Sequence, residues 1–123
     1  MKDMEEKFKF LRDNPELEQR KKECEKIRSQ FNEKIPIICE KAPKSNIGEI
    51  DKTKYLVPSD LSVNQFNMMI RKRLQIDKEA AFYLLVNGKK SISGEKSLAD
   101  IYEEDKAADG FLYINYASEL TWG

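Results

Sequence analysis

The chain has 123 residues, 36% of them charged and 40% apolar, and its 22 basic and 22 acidic side chains cancel. That length suits one domain with at most an appendage. With no histidine and only two cysteines, Cys24 and Cys39, histidine-dependent nucleophilic catalysis and a self-sufficient structural zinc site are excluded.

The chain opens with helical patterning. Met4, Phe8 and Leu11 fall four and three residues apart, a short apolar stripe. Asn14-Pro15 then reads as an N-cap followed by a first-turn proline, so a second helix is predicted from Pro15 to about Phe31. Its stripe is Leu17, Cys24, Ile27 and Phe31, with Arg and Lys at the skipped turn. So narrow a stripe predicts a helix lying on top of a core, and the two helices form an appended hairpin, residues 1–31.

Ile35 to Glu40 is the first predicted strand, with Ile35, Ile37 and Cys39 on one face and Pro36, Ile38 and Glu40 on the other. Ala42 to Ile50 is a loop containing Pro43, Asn46 and Gly48. Lys52 to Val57 is the second strand. Its lysines and the closing Pro58 mark a sheet edge, whose free backbone groups can accept a partner strand. Ser62-Val63-Asn64-Gln65 is a capping box, with Leu61 and Phe66 placed for a hydrophobic staple. The helix it opens has Val63, Phe66, Met69, Ile70 and Leu74 as its buried stripe, and Arg71-Lys72-Arg73 complements the dipole of its last turn.

Ala81 to Val86 is apolar throughout and predicts a central strand. Asn87-Gly88 predicts a tight hairpin turn, and a weak strand or loop follows to Ile92. Ser97 caps a short helix with Leu98, Ile101 and Tyr102 facing inward. Phe111 to Tyr116 is the last strand, followed by a tail, residues 117–123. Glu103, Glu104, Asp105 and Asp109 read as a solvated turn, since their spacing lacks the alternating ligands of a calcium loop.

The longest apolar run, Ala80–Val86, is seven residues, against about 20 needed to cross a bilayer. The start, MKDMEEKFKF, has no apolar signal-peptide core. A cytosolic protein is expected, with Cys24 and Cys39 reduced and acting as small apolar residues. Residues 1–75 carry 17 basic and 13 acidic side chains (+4), and residues 76–123 carry 5 and 9 (−4). So mild a basic bias does not argue for nucleic acid.

The element order beyond residue 31 is hairpin, helix, strand, short strand, short helix, strand. That is the order of a β-grasp, so the predicted fold is α+β: a ubiquitin-like β-grasp core, residues 32–116, with two additional N-terminal helices. Particular stretches go further. "EKIRSQF", "IPIICEKAPKSNIGEIDKTKYLVPSDLSVNQF", "IRKRL", "FYLLVNGK", "SLADIYEEDKAADGFLYINYASE" and the aromatic-Gly end resemble the autophagy ubiquitin-like modifiers of the GABARAP type. The resemblance covers about residues 7 to 123. Met68 and Met69 stand where that family often has bulkier or branched residues. Gly110 replaces a common aromatic beside Phe111, a change expected to loosen the start of the last strand.

The resemblance implies a substrate rather than an enzyme, with no catalytic residue, metal or cofactor of its own. The implied reaction exposes Gly123 through a cysteine protease and passes it through ubiquitin-like activating and conjugating enzymes. It ends with Gly123 joined to the amine of phosphatidylethanolamine. The protein would be cytoplasmic when free and on the autophagosome membrane when lipidated. There it would recruit receptors and cargo adaptors bearing aromatic-x-x-aliphatic motifs. The implied aromatic pocket maps onto Glu23, Ile27, Pro36, Ile38, Lys54, Leu56 and Phe111. The implied aliphatic pocket maps onto Tyr55, Val57, Pro58, Leu61, Phe66, Met69 and Ile70. Lys54, with Lys34 nearby, would meet acidic residues preceding such motifs. The alternative is a ubiquitin-like peptide-binding adaptor that is never conjugated.

Overall fold

The structure, a computed structural model, describes residues 2–77 and 79–119. Helices α1 (Lys2–Lys7), α2 (Lys9–Asp13) and α3 (Leu17–Gln30) precede strands β1 (Lys34–Lys41) and β2 (Lys54–Pro58). Helix α4 (Val63–Leu74), strands β3 (Tyr83–Val86) and β4 (Lys90–Ser91), helix α5 (Leu98–Asp105) and strand β5 (Leu112–Ala117) follow. The sheet order is β2-β1-β5-β3-β4. β1 and β5 run parallel, and the other neighbours are antiparallel. This is the α+β ubiquitin-like β-grasp with N-terminal helices.

Local chemistry accounts for several boundaries. The Ser62 hydroxyl accepts the Gln65 N–H at 3.1 Å while the Gln65 side chain accepts the Ser62 N–H at 2.8 Å, a reciprocal cap on α4. Ser97 Oγ accepts the Asp100 N–H at the start of α5. Asn87 and Gly88 both have positive φ, 57° and 67°, as a two-residue turn between β3 and β4 requires.

Alternation along the strands divides the interior. Ile35, Ile37 and Cys39 of β1 join Leu112, Ile114 and Tyr116 of β5 in the main core, which α4 and α5 cover with Val63, Phe66, Ile70, Leu98, Ile101 and Tyr102. The opposite sheet face supplies Ile38, Phe111 and Tyr113 to a second cluster, closed by Phe8, Phe10, Leu11 and Cys24 from the N-terminal helices. The sheet is therefore sandwiched between two helical layers.

Four expectations are corrected. The centre of the sheet is β5, whose six residues are all buried; β3 begins only at Tyr83 and lies next to the two-residue β4. The first helix breaks at Phe8, whose extended backbone (φ −132°, ψ 114°) turns both Phe8 and Phe10 inward. Asn14 does not cap α3. Its side chain donates to Phe10 O, and the helix starts at Leu17 behind Glu16. Leu17, the first residue of α3, and Phe31, just beyond its end, are exposed rather than part of the buried face, and the skipped turn is filled by Arg20, which is 7% exposed.

Candidate functional site

β2 stands at one end of the strand order, paired on one side only within the described sheet. Its alternation gives it two faces. Lys54 and Leu56 lie beside Ile38 and Pro36, their register partners, on the side of the N-terminal helices. Tyr55 and Val57 point into the main core. The two residue sets from the sequence thus straddle one edge strand.

On the first face, α3 brings Glu23 and Ile27 one turn apart, and Phe111 enters from the start of β5. Ile38 and Phe111 are fully buried, while Ile27 and Leu56 are half-buried. Lys54 Nζ bonds to Glu23 Oε2 across the top of the set. The same ammonium lies 5.2 Å from the centre of the Phe10 ring, within cation–π range. Phe10 itself meets Phe111 edge-on, with ring centres 5.5 Å apart. The structure therefore adds Phe10 to this set. Sequence periodicity missed it because Phe8 and Phe10, two apart, cannot share one continuous helical stripe. The alternating F-x-F spelling across the helix break was the available clue.

On the second face, Tyr55, Val57, Phe66 and Ile70 are buried and Leu61 is half-buried against the same cluster. Tyr55 and Phe66 pack edge-to-face at 5.8 Å. Pro58 is exposed at the strand end. Met69, expected in the buried stripe of α4, is 40% exposed, and Met68 is 60% exposed. A cavity of about 440 Å³ is lined by Lys52, Tyr55, Leu56, Val57, Met69, Lys72 and Arg73. It takes in Tyr55, Val57 and Met69 of the expected aliphatic set; Phe66 and Ile70 lie in the main core. Three cations rim it. Lys52 stacks 5.2 Å over the Tyr55 ring, whose hydroxyl donates to Lys52 O at 2.6 Å, and Arg73 pairs with Asp51 at 3.1 Å. Burial pushes the Tyr55 phenol well above its ordinary pKa, so it stays a neutral donor.

Behind the first face lies a network that no sequence pattern disclosed. Asp109, read from sequence as part of a solvated acidic turn, is 2% exposed. It accepts from Arg20 Nε at 2.8 Å, from the Tyr113 hydroxyl, and from the Phe111 N–H at 2.9 Å. Its neighbours in that reading differ: Glu104 pairs with Lys96 and Asp105 lies 3.6 Å from Lys90. Gly110, expected to loosen the strand, is instead held there. Its φ is +94°, and a Cβ would stand 2.7 Å from Cys24 Sγ. Its carbonyl accepts from the Tyr102 hydroxyl at 2.6 Å. Burial, aided by the charge of Asp109, pushes the Cys24 thiol up to about 11, and burial raises Cys39 further. Neither thiol supplies a thiolate near neutral pH. Among the described residues, no group of three or more His, Cys, Asp or Glu side chains could hold a metal ion, and no helix is long and apolar enough to cross a membrane.

Residues 19–123 match the family described as autophagy protein Atg8, ubiquitin like. The chain is 48% identical over 120 residues to autophagy-related protein 8 of Cochliobolus heterostrophus, covering 98% of each chain. It is 47% identical over 120 residues to the proteins of the same name from Colletotrichum lindemuthianum and Neurospora crassa, covering 98% of this chain and 96% of each of those. The chain belongs to the Atg8 family. As an Atg8-family protein it is an autophagy-related ubiquitin-like protein, in agreement with the resemblance read from its motifs. The conjugation residue implied by that resemblance, Gly123, lies outside the described residues.

Proposed function

We propose that this Atg8-family chain is a modifier joined through Gly123 to phosphatidylethanolamine, and that it recruits aromatic-x-x-aliphatic peptides along β2. The observation that carries the docking half is that β2 is an edge strand with one residue set on each face. A peptide that adds a strand to β2 gains backbone hydrogen bonds, and its alternate side chains reach opposite sides. An aromatic side chain would settle over Pro36 and Leu56 by parting Glu23 from Lys54. Both are surface side chains, so parting them costs only about 0.2–1 kcal/mol. The freed Lys54 would meet an acidic residue of the peptide. The aliphatic anchor would enter the cavity beside Tyr55, Val57 and Met69.

A buried ring removes about 150–250 Å² from water, roughly 4–6 kcal/mol gross, and an aliphatic side chain adds ~2 kcal/mol. Association costs on the order of 4–15 kcal/mol. The two anchors alone therefore leave a weak complex, about millimolar at best, so strand pairing along β2, the Lys54 contact and the avidity of many copies on one membrane supply the rest. Gly123 suits its role because a glycine carboxylate has no Cβ to obstruct adenylation or thioester exchange. Activating and conjugating enzymes and a cysteine protease supply the reactive thiols, which fits the two protonated cysteines here. The attached phospholipid brings two acyl chains, enough for stable anchoring.

Titration with a labelled acidic-aromatic-x-x-aliphatic peptide tests the docking half. Saturable binding that weakens at least tenfold in Leu56→Asp, and with alanine at either peptide anchor, is expected. Equal binding by Leu56→Asp would remove β2 from the proposal.

A further inference from the structure

The end of β5 is held by the loop that follows β1. The Ala42 N–H donates to Tyr116 O at 2.8 Å, and the Tyr116 hydroxyl donates to Gly48 O at 2.8 Å. Between these two ties, the Ser118 N–H donates to Ser45 Oγ at 3.2 Å. The two serine hydroxyls are 3.3 Å apart. The Ser118 hydroxyl donates to Glu119, which leaves the Ser45 hydroxyl to donate to Ser118 Oγ. Ser45 and Ser118 therefore each give the other a hydrogen bond. Ser45 is 6% exposed, so water does not substitute freely for this partner.

The loop is itself fixed. Lys41 Nζ donates to the carbonyls of Ala42, Pro43 and Ser45 at 3.0, 3.3 and 3.0 Å. An ammonium holding three carbonyls of one short loop sets its shape. The Ser45 N–H closes the turn on Ala42 O at 3.0 Å. The consequence is a rigid hydroxyl placed beside the residue at which the chain leaves the sheet.

We propose that Ser45 is a positioning residue for presentation to the activating enzyme: by holding Ser118 it sets the direction in which the chain leaves the sheet at Ser118. The inference rests on the modifier reading. A tail whose root is already aimed loses less freedom on entering a narrow active site, so the clamp acts on capture and not on the chemical step.

The test uses the full chain and an activating enzyme proven on another Atg8-family protein. Thioester formation is measured against concentration, and Ser118 amide exchange is followed by NMR. Ser45→Ala raises KM about two- to tenfold, the size of one ordinary hydrogen bond, with kcat unchanged, and speeds Ser118 exchange. Ser45→Thr keeps the hydroxyl and restores KM. Ser118→Ala keeps the backbone N–H bond to Ser45 but removes the acceptor of the Ser45 hydroxyl, and raises KM in the same direction as Ser45→Ala. Faster exchange with an unchanged KM would reduce Ser45 to a structural role and overturn the inference while leaving the modifier reading standing. A wild-type protein that forms no thioester would overturn both.

Discussion

Arg20 Nε lies 2.8 Å from Asp109 Oδ2, an ion pair closed over by the fold, with the two side chains 7% and 1% exposed. It ties the first turn of α3 to the approach of β5, the same approach that delivers Phe111 to the candidate aromatic set. Arg20 also donates to Asn14 O at 2.7 Å, so one guanidinium anchors both the start of α3 and its packing. Breaking such a pair leaves a buried charge without its partner, at about 3–5 kcal/mol. Arg20→Met and Asp109→Leu should each lower the unfolding free energy measured by urea titration by that order, and the double variant should lose much less than the sum. Additive losses would mean that the residues are not coupled.

Gly110 and Cys24 form a second long-range contact. Gly110→Ala meets both a positive φ and the Cys24 sulfur, and should cost about 1–3 kcal/mol. Cys24→Ala in the same chain removes the collision but not the backbone strain, so it should recover part of the loss. A denaturation double-mutant cycle with no coupling would place the whole penalty in the backbone.

Phe10 is where the structure extends the sequence reading of the aromatic set. Phe10→Ala should cost about 3–5 kcal/mol by removing a packed ring from the second cluster. Phe10→Leu keeps the bulk and should cost less than about 1.5 kcal/mol. Equal stability of wild type and Phe10→Ala in thermal unfolding would show that the N-terminal helices do not pack as described.

The pH dependence has a defined sign. Cys24 has a folded-state pKa near 11, raised by burial and by Asp109, above the free-thiol value of about 8.5. Between those values the unfolded chain releases its proton while the folded chain keeps it. The contribution is fully present below the unfolded value and is lost as pH rises toward 11. Cys39 and the raised tyrosines act in the same direction. Stability by urea titration should fall steadily from pH 8.5 upward, less steeply in Cys24→Ala. A flat profile would contradict the burial of these groups.

What could be read in the sequence was local. The Ser62–Gln65 capping box, the Asn87-Gly88 turn and the alternation of β1 all depend on neighbours within a few residues. The edge position of β2 was legible from its lysines and Pro58. The misreadings had more than one cause. Asp109 follows the exposed Glu103 and Glu104 in the chain, and Arg20, 89 residues away, with the Tyr113 hydroxyl and the Phe111 N–H, makes its burial tolerable. Asn14 has the chemistry of a cap, but its side chain turns back to Phe10 O. Met69 has the spacing of a core residue, yet it lies beside the β2 cavity and remains substantially exposed. The residues of the two candidate sets came from family motifs, because no periodicity separates a groove wall from an ordinary core edge.

The central claim is that Gly123 is the working end of the molecule. Mixing the protein with family activating and conjugating enzymes, ATP and phosphatidylethanolamine liposomes, then reading intact mass, tests it directly. A phospholipid adduct on the wild type that is absent from Gly123→Ala is the predicted result. No adduct, with enzymes proven active on another family member, would contradict it and leave a peptide-docking protein that is not conjugated.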